Sequence, residues 1–204
     1  IRAYTYIPTN DYRWDEVATD DAVTNDQFST FMRMATGEWS SLYNPQNLWD
    51  NCNRAILYIN HFLDVVEEVP FKWTDEEHNA LFVRRMKGEA YGLRGMFKYF
   101  LLRNHGGIGT NGELMGIPEY NEFITAEDFN KPRQTFAESV NSANADLDQA
   151  LLFLSPDYDN VNDVADLPEG FEPNTNLDSY NSVFGDVTEQ RLSGRHVWAI
   201  KARL

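Results

Sequence analysis

The sequence is poor in cysteine, in basic residues and in long apolar runs. Cys52 is its one cysteine, so an internal disulfide and a cysteine-based zinc site are excluded. No apolar run approaches the ~20 residues that a membrane-spanning helix needs. The sequence contains 17 Lys and Arg but 32 Asp and Glu, which gives a net charge of −15, and the basic residues form no cluster along the sequence. Binding to nucleic acid or to an anionic lipid surface is therefore disfavoured, because both rely on clustered Lys and Arg.

The apolar content indicates a folded chain. Hydrophobic residues make up 42% of the sequence and aromatic residues 14%, which is more than a disordered chain carries. No signal peptide is visible, the chain opens at Ile1, and the segment 196–204 has the pattern of a helix that continues. We therefore expect both ends to be truncations of a longer protein, with any export signal or lipid-anchoring cysteine upstream of Ile1.

Amphipathic spacing predicts an all-α fold, because apolar residues recur at intervals of three and four over several long segments. The predicted helices cover about 27–36, 46–67, 75–104, 135–154 and 195–204. The tetrapeptides Thr74 to Glu77 and Thr135 to Glu138 fit the capping box and are predicted to begin the third and fourth helices. Residues 155–193 are rich in Asn, Asp, Pro and Gly, and the sequence predicts a long loop there.

The order of the helices predicts stacked α-hairpins, as in tetratricopeptide solenoids. In this interpretation 46–67 pairs with 75–104, and 135–154 pairs with 195–204. The repeat is degenerate, because long inserted loops interrupt the regular period of about 34 residues. Three glycines of the third helix, Gly88, Gly92 and Gly95, each cost about 1 kcal/mol relative to Ala inside a helix. We therefore expect a neighbouring helix to approach this stretch closely.

Four blocks lie in order along residues 49–204. The first is Trp49-x3-Asn53-x2-Ile56-x3-Asn60, and the second is Gly88-Glu-Ala-Tyr-Gly-Leu-Arg94-Gly-Met-Phe-Lys-Tyr99 followed by Gly106-Gly107. The third joins Pro132-Arg133-x-Thr135-x2-Glu138 to Asp146-Leu147-x2-Ala150-x3-Leu154-x-Pro156, and the fourth is Gly194-Arg195 with Ala199-x-Lys201-Ala-Arg203. Together they resemble the SusD/RagB family. The departures are Asn53 where that family has Tyr, Gly95 where it has Ala, and Ile108-Gly109 where it has Val-Pro.

The resemblance implies the N-terminal, helical part of a lipoprotein on the outer face of a bacterial outer membrane. Such a protein caps a TonB-dependent, SusC-like transporter and passes oligosaccharides to it, and some relatives take peptides. The resemblance implies a binding protein without catalytic residues, metal or cofactor. Residues of the four blocks are expected to build the helical scaffold, namely Trp49, Asn60, Glu89, Arg94, Arg133 and Arg195.

The loop before the second predicted helix supplies the candidate ligand residues. Trp39, Tyr43, Asn44 and Asn47 lie within nine positions of each other. Flat aromatic rings can stack on the apolar faces of sugars, while Asn side chains bind the hydroxyl rim. The position resembles that of an aromatic contact in starch-binding relatives. The alternative for Trp39 is a packing role beneath the helix predicted at 27–36.

The residues are also compatible with two other functions. One is a helical-repeat scaffold that binds only proteins. The other is an all-α glycoside hydrolase, since 32 carboxylates include pairs that could serve as acid and base. No motif supports the hydrolase: the four His show no metal-ligand spacing, and Asp157 to Asp163 departs from the EF-hand pattern at its fifth and sixth positions.

Overall fold

The computed structural model describes residues 18–21, 23, 25, 30–38, 40, 48–71, 75–125 and 128–204. The described part of the chain is mainly helical, which confirms the all-α fold class. Its helices are α1 (Thr30–Ala35), α2 (Trp49–Val65), α3 (Glu76–His105), α4 (Phe136–Phe153), α5 (Leu177–Phe184) and α6 (Gly194–Lys201). A two-residue antiparallel hairpin, β1 (Gly107–Ile108) and β2 (Leu114–Met115), follows α3.

Helix α3 is the central element of the fold. Its 30 residues make a rod about 45 Å long. Helices α2, α4 and α5 all pack against α3, and α6 packs on α4. Between α2 and α3 lies a core that includes Cys52, Ile56, Phe97 and Leu101. Burial raises the pKa of the Cys52 thiol to about 12, so this cysteine behaves as an apolar core residue.

The start of α3 differs from the capping box expected at Thr74, a residue that lies outside the described part of the chain. Asp75 is the N-cap, and its carboxylate accepts a hydrogen bond of 2.9 Å from the backbone N–H of His78. An Asp serves this position well, because its charge also interacts favourably with the helix dipole. Glu77 accepts instead from the backbone N–H of Asn176 at 2.6 Å, so it ties α3 to the start of α5.

The start of α4 agrees with the expected capping box. The hydroxyl of Thr135 accepts from the backbone N–H of Glu138 at 3.2 Å. The Glu138 carboxylate accepts in return from the backbone N–H of Thr135 at 2.9 Å. The backbone N–H groups of Thr135 and Glu138, which have no partner within the helix, are thereby hydrogen-bonded, as the spacing of the two residues predicts.

The segment predicted as a loop, residues 155–193, contains helix α5 and two short 3-10 turns. Asn176 caps α5 by accepting from the backbone N–H of Ser179 at 3.0 Å. Tyr180, Val183 and Phe184 then enter a buried cluster with Tyr158 and Leu81. The loop prediction missed α5 because a helix of eight residues is too short to show a repeating stripe, and polar residues surround it.

The glycines of α3 mark its closest approach to other elements, as expected. A Cβ built on Gly95 would lie 2.8 Å from Leu147 Cδ2 and 3.1 Å from the carbonyl oxygen of Ala143, both in α4. A Cβ on Gly88 would lie 2.6 Å from Leu154 Cγ, just after α4 ends. Any side chain at these positions would push α4 away from α3.

We predict that Gly95→Ala destabilises the protein, although Ala is normally about 1 kcal/mol better than Gly inside a helix. The added methyl meets a buried leucine and a backbone carbonyl, and overpacking of this kind costs about 1–3 kcal/mol. Urea unfolding of both proteins measures the change. Ala145→Gly, at an exposed position of α4, is the control that measures the intrinsic difference between Gly and Ala. Greater stability of Gly95→Ala than of the wild type would contradict the close helix crossing.

Candidate functional site

The four predicted ligand residues, Trp39, Tyr43, Asn44 and Asn47, lie outside the described residues. The structure therefore leaves their roles as a prediction. Within the described part of the chain, the polar side chains of α2, α3 and α4 converge on one segment. This segment is the connecting loop, residues 116–125 and 128–134, which lies between β2 and α4 in the sequence.

The centre of the convergence is a buried ion pair between α3 and α4. Arg94 binds Asp146 through two hydrogen bonds, from Nε to Oδ2 at 2.9 Å and from an Nη to Oδ1 at 2.5 Å. The Nζ of Lys98, one turn further along α3, lies 2.7 Å from the same carboxylate. All three side chains are almost completely buried. Because an unpaired charge in such a place is expensive, the two cations and the carboxylate depend on one another.

The buried ion pair extends to the connecting loop through Asn60 of α2. The Nδ2 of Asn60 donates to the carbonyl oxygens of Tyr120 at 3.0 Å and Glu122 at 2.8 Å. Arg94 donates to Asn60 Oδ1 at 2.7 Å and to the carbonyl oxygen of Asn121 at 3.0 Å. Three consecutive carbonyl groups of the loop are therefore held by two side chains from two different helices.

Lys98 and Glu119 are charged groups of the same network, and their surroundings shift the pKa of each. Burial lowers the pKa of Lys98, and Asp146 opposes that effect. Burial alone would raise the pKa of Glu119. Hydrogen bonds from Ser142, Gln134 and Asn121, with the charge of Lys98, outweigh burial and bring the pKa of Glu119 below its ordinary value. Glu119 is therefore held as a carboxylate that joins the loop to α4.

The structure places the other expected scaffold residues at joins between elements. Trp49 meets His105 edge to face, with ring centroids 5.2 Å apart. Glu89 accepts from the Nε of Arg191 at 2.7 Å, which joins α3 to the segment before α6. Two more arginines complete the set: Arg133 donates to the carbonyl oxygen of Gly116 at 2.7 Å, and the largely exposed Arg195 pairs with Asp157 at 2.5 Å.

The sequence alone did not predict that Lys98, Glu119, Asn121 and Asp146 belong to this network of polar side chains. A signal for two of them was present. Lys98 follows Arg94 by four residues on a stretch of α3 lined with small residues, so both cations face a buried side. Asp146 belongs to the third sequence block and precedes the fully buried Leu147. Charges within a buried stripe predict a partner but do not identify it.

The connecting loop presents aromatic rings to solvent next to residues that are buried. Phe123 and Phe129 are 49% and 51% exposed, whereas Ile117 and Ile124 are buried. The hydroxyl of Tyr120 donates to the carbonyl oxygen of Phe129 at 2.5 Å. Rings on a fixed backbone can stack on a flat apolar ligand surface at little entropic cost.

A separate surface cavity of about 480 Å³ lies between α3 and the end of α4, around Arg84 and Lys87. Its cations are engaged: Arg84 donates to the carbonyl oxygens of Phe153 and Gly170 at 3.0 and 2.7 Å, and Lys87 pairs with Glu67 at 2.5 Å.

Within the described ranges, no group of three or more His, Cys, Asp or Glu is placed to bind a metal ion. None of the helices described is long and apolar enough to cross a bilayer.

We predict that Asp146→Asn destabilises the protein by about 3–5 kcal/mol, because Arg94 and Lys98 then lose their common buried carboxylate. Asp148→Asn is the matched control. Asp148 lies two residues along α4 and also pairs with a lysine, Lys201, but its side chain is largely exposed. Denaturant unfolding should place the control near the wild type. Equal stability of the two variants would contradict a central role for the buried ion pair.

Glu119 gives a pH-dependent prediction. Its pKa in the folded protein lies below the ordinary value of 4.5, so its contribution to stability is complete above that value. The contribution is lost as the pH falls from there through the folded pKa. Glu119→Gln should be less stable than the wild type at pH 7, and the difference should shrink in acid. Urea unfolding between pH 7 and pH 3 measures this, with Glu122→Gln, an exposed carboxylate of the same loop, as control. A difference independent of pH would contradict the assignment.

Comparisons with known proteins identify the family. The chain matches the SusD-like family model described as "Starch-binding associating with outer membrane" over residues 3–168. A SusD-like protein from Bacteroides fragilis is 19% identical, with a TM-score of 0.49 over 76% of this chain and 22% of that chain. A SusD superfamily protein from Bacteroides thetaiotaomicron is 21% identical, with a TM-score of 0.45 over 59% of this chain and 26% of that chain.

The chain thus spans about a quarter of the length of these two solved structures. A search of the curated proteins finds no significant match. The family model, in contrast, covers most of the sequence, including the first three blocks. The chain belongs to the SusD-like family.

Proposed function

We propose that this chain is the helical N-terminal part of a glycan-binding protein on the bacterial cell surface. The protein delivers oligosaccharides to a TonB-dependent, SusC-like transporter and is held at the outer membrane by a lipid anchor. It is a binding protein and not an enzyme. The observation that carries the proposal is the match of residues 3–168 to a family described as starch-binding and associated with the outer membrane.

The proposed ligand contacts on this chain are Trp39, Tyr43, Asn44 and Asn47. Their chemistry suits a sugar, because two rings can cover the C–H faces while two amides bind hydroxyl groups. The segment 39–47 leads directly into α2, which begins at Trp49. Helix α2 in turn is fixed to α3 through the hydrogen bond from Arg94 to Asn60. A ligand-binding loop attached to such a helix has a rigid base.

The buried residues serve this function indirectly. We assign Trp49, Asn60, Glu89, Arg94, Arg133 and Arg195 to the scaffold that fixes the helices and the connecting loop. Asn60 and Arg94 have no exposed polar group to offer a ligand, since both side chains are buried and engaged. Other exposed parts of the stacked helices would then provide the surface that docks on the transporter.

We predict that the full-length protein binds maltoheptaose, a soluble fragment of starch, in isothermal titration calorimetry. Trp39→Ala and Tyr43→Ala should each weaken this binding by about tenfold, the loss expected for a stacking ring at the centre of a site. Val187→Ala, an apolar residue 78% exposed elsewhere on the surface, is the control.

The same experiment separates the alternatives. A protein-interaction scaffold would give no heat with maltoheptaose or with a wider panel of oligosaccharides. A glycoside hydrolase would shorten the maltoheptaose, and chromatography of the incubated sugar would detect the products. Either outcome would overturn the proposal.

A further inference from the structure

The outer face of α2 carries exposed aromatic side chains that the scaffold does not use. Tyr58 is 63% exposed, and His61 lies on the same face one turn further along the helix. Phe123 of the connecting loop lies against His61, with ring centroids 5.0 Å apart and a tilt of 44°. We call Tyr58, His61 and Phe123 the aromatic platform.

The platform is fixed on both of its sides. Tyr58 and His61 flank Asn60, which is buried and binds the connecting loop at two carbonyl groups. Phe123 lies between Glu122, whose carbonyl accepts one of those bonds, and the buried Ile124. The two backbones that carry the rings are therefore joined to each other. Such a surface binds a ligand without first having to order itself.

The groups around the platform favour an uncharged, hydroxylated ligand. Arg54 lies one turn before Tyr58, Asp64 lies one turn after His61, and Glu122 precedes Phe123; all three are exposed. Carboxylates and a guanidinium at the rim can bind sugar hydroxyl groups, while the rings cover the C–H faces. A polyanion would meet the net charge of −15. A purely apolar partner would leave these charged groups buried and unpaired.

We propose that the aromatic platform is a glycan subsite, which binds neutral sugar units of the oligosaccharide in addition to the residues of 39–47. This inference rests on the proposed function, because the ligand class is that of the family. It adds three residues to the binding surface. None of the three is a defining position of the four sequence blocks. Tyr58 and Phe123 provide the stacking rings, and His61 supports Phe123 from the side.

The test uses the full-length protein and maltoheptaose in isothermal titration calorimetry. Tyr58→Ala and Phe123→Ala should each raise Kd about five- to tenfold, and Tyr58→Phe, which keeps the ring, should remain close to the wild type. Val187→Ala again controls for removal of an exposed apolar side chain. Circular dichroism of each variant checks that the helical fold is kept, and both substitutions are at solvent-exposed positions.

The outcomes distinguish this inference from the proposed function. If the wild type binds maltoheptaose and both alanine variants bind it equally well, the platform is overturned and the proposed function stands. If the wild type binds no oligosaccharide, both are overturned. If the variants keep sugar binding but lose co-purification with the transporter barrel, the platform is a protein-docking surface, and the glycan subsite is overturned.

Discussion

The carboxylate of Asp146 is the group on which the arrangement of the described helices depends. It pairs with two buried cations of α3, Arg94 and Lys98, from the neighbouring helix α4. Two cations without that carboxylate would repel each other in a poorly solvated place, so the helices are constrained to one relative position. An apolar core alone would tolerate small sliding of α3 along α4, because hydrophobic contacts are not directional. The bidentate geometry of Arg94 on Asp146 sets the register of the two helices as well as their affinity.

Close helix packing and the buried ion pair require each other. Arg94 lies directly before Gly95, the position at which α3 and α4 come too close for a side chain. With a larger residue at Gly95 the separation of the helices would increase, and the hydrogen bonds of Arg94 to Asp146 would lengthen. The close packing at Gly88, Gly92 and Gly95 in turn offsets the loss of helix propensity that these glycines bring to α3. The glycines and the charged residues of this stretch therefore form one structural unit.

Local patterns in the sequence predicted the local features of the fold, and the rest required long-range pairing. The apolar stripes indicated α2, α3 and α4, and the spacing of Thr135 and Glu138 indicated a real cap. The cap at Asp75 was displaced by one residue because Thr74 and Asp75 are both good caps and adjacent. Helix α5 was missed because eight residues carry too little periodicity. The partnership of Arg94 with Asp146 spans 52 residues, and no local pattern encodes such a distance. The candidate ligand residues at 39–47 came from composition and family resemblance. The aromatic platform, in contrast, joins residues of α2 to Phe123 of the connecting loop, and no local pattern encodes that contact.

The buried ion pair and the exposed rings belong to one physical chain of cause and effect. Arg94 donates to Asp146 from its Nε and one Nη. Its other Nη donates to the Oδ1 of Asn60 and to the carbonyl oxygen of Asn121. Asn60, oriented by that contact, has both amide protons free for the carbonyl groups of Tyr120 and Glu122. The loop backbone is thereby fixed one residue before Phe123, so the contacts that hold the chain next to that ring lie among buried residues of α2, α3 and α4. A surface built in this way can vary its exposed side chains without disturbing the fold, because the interactions that position them lie beneath it.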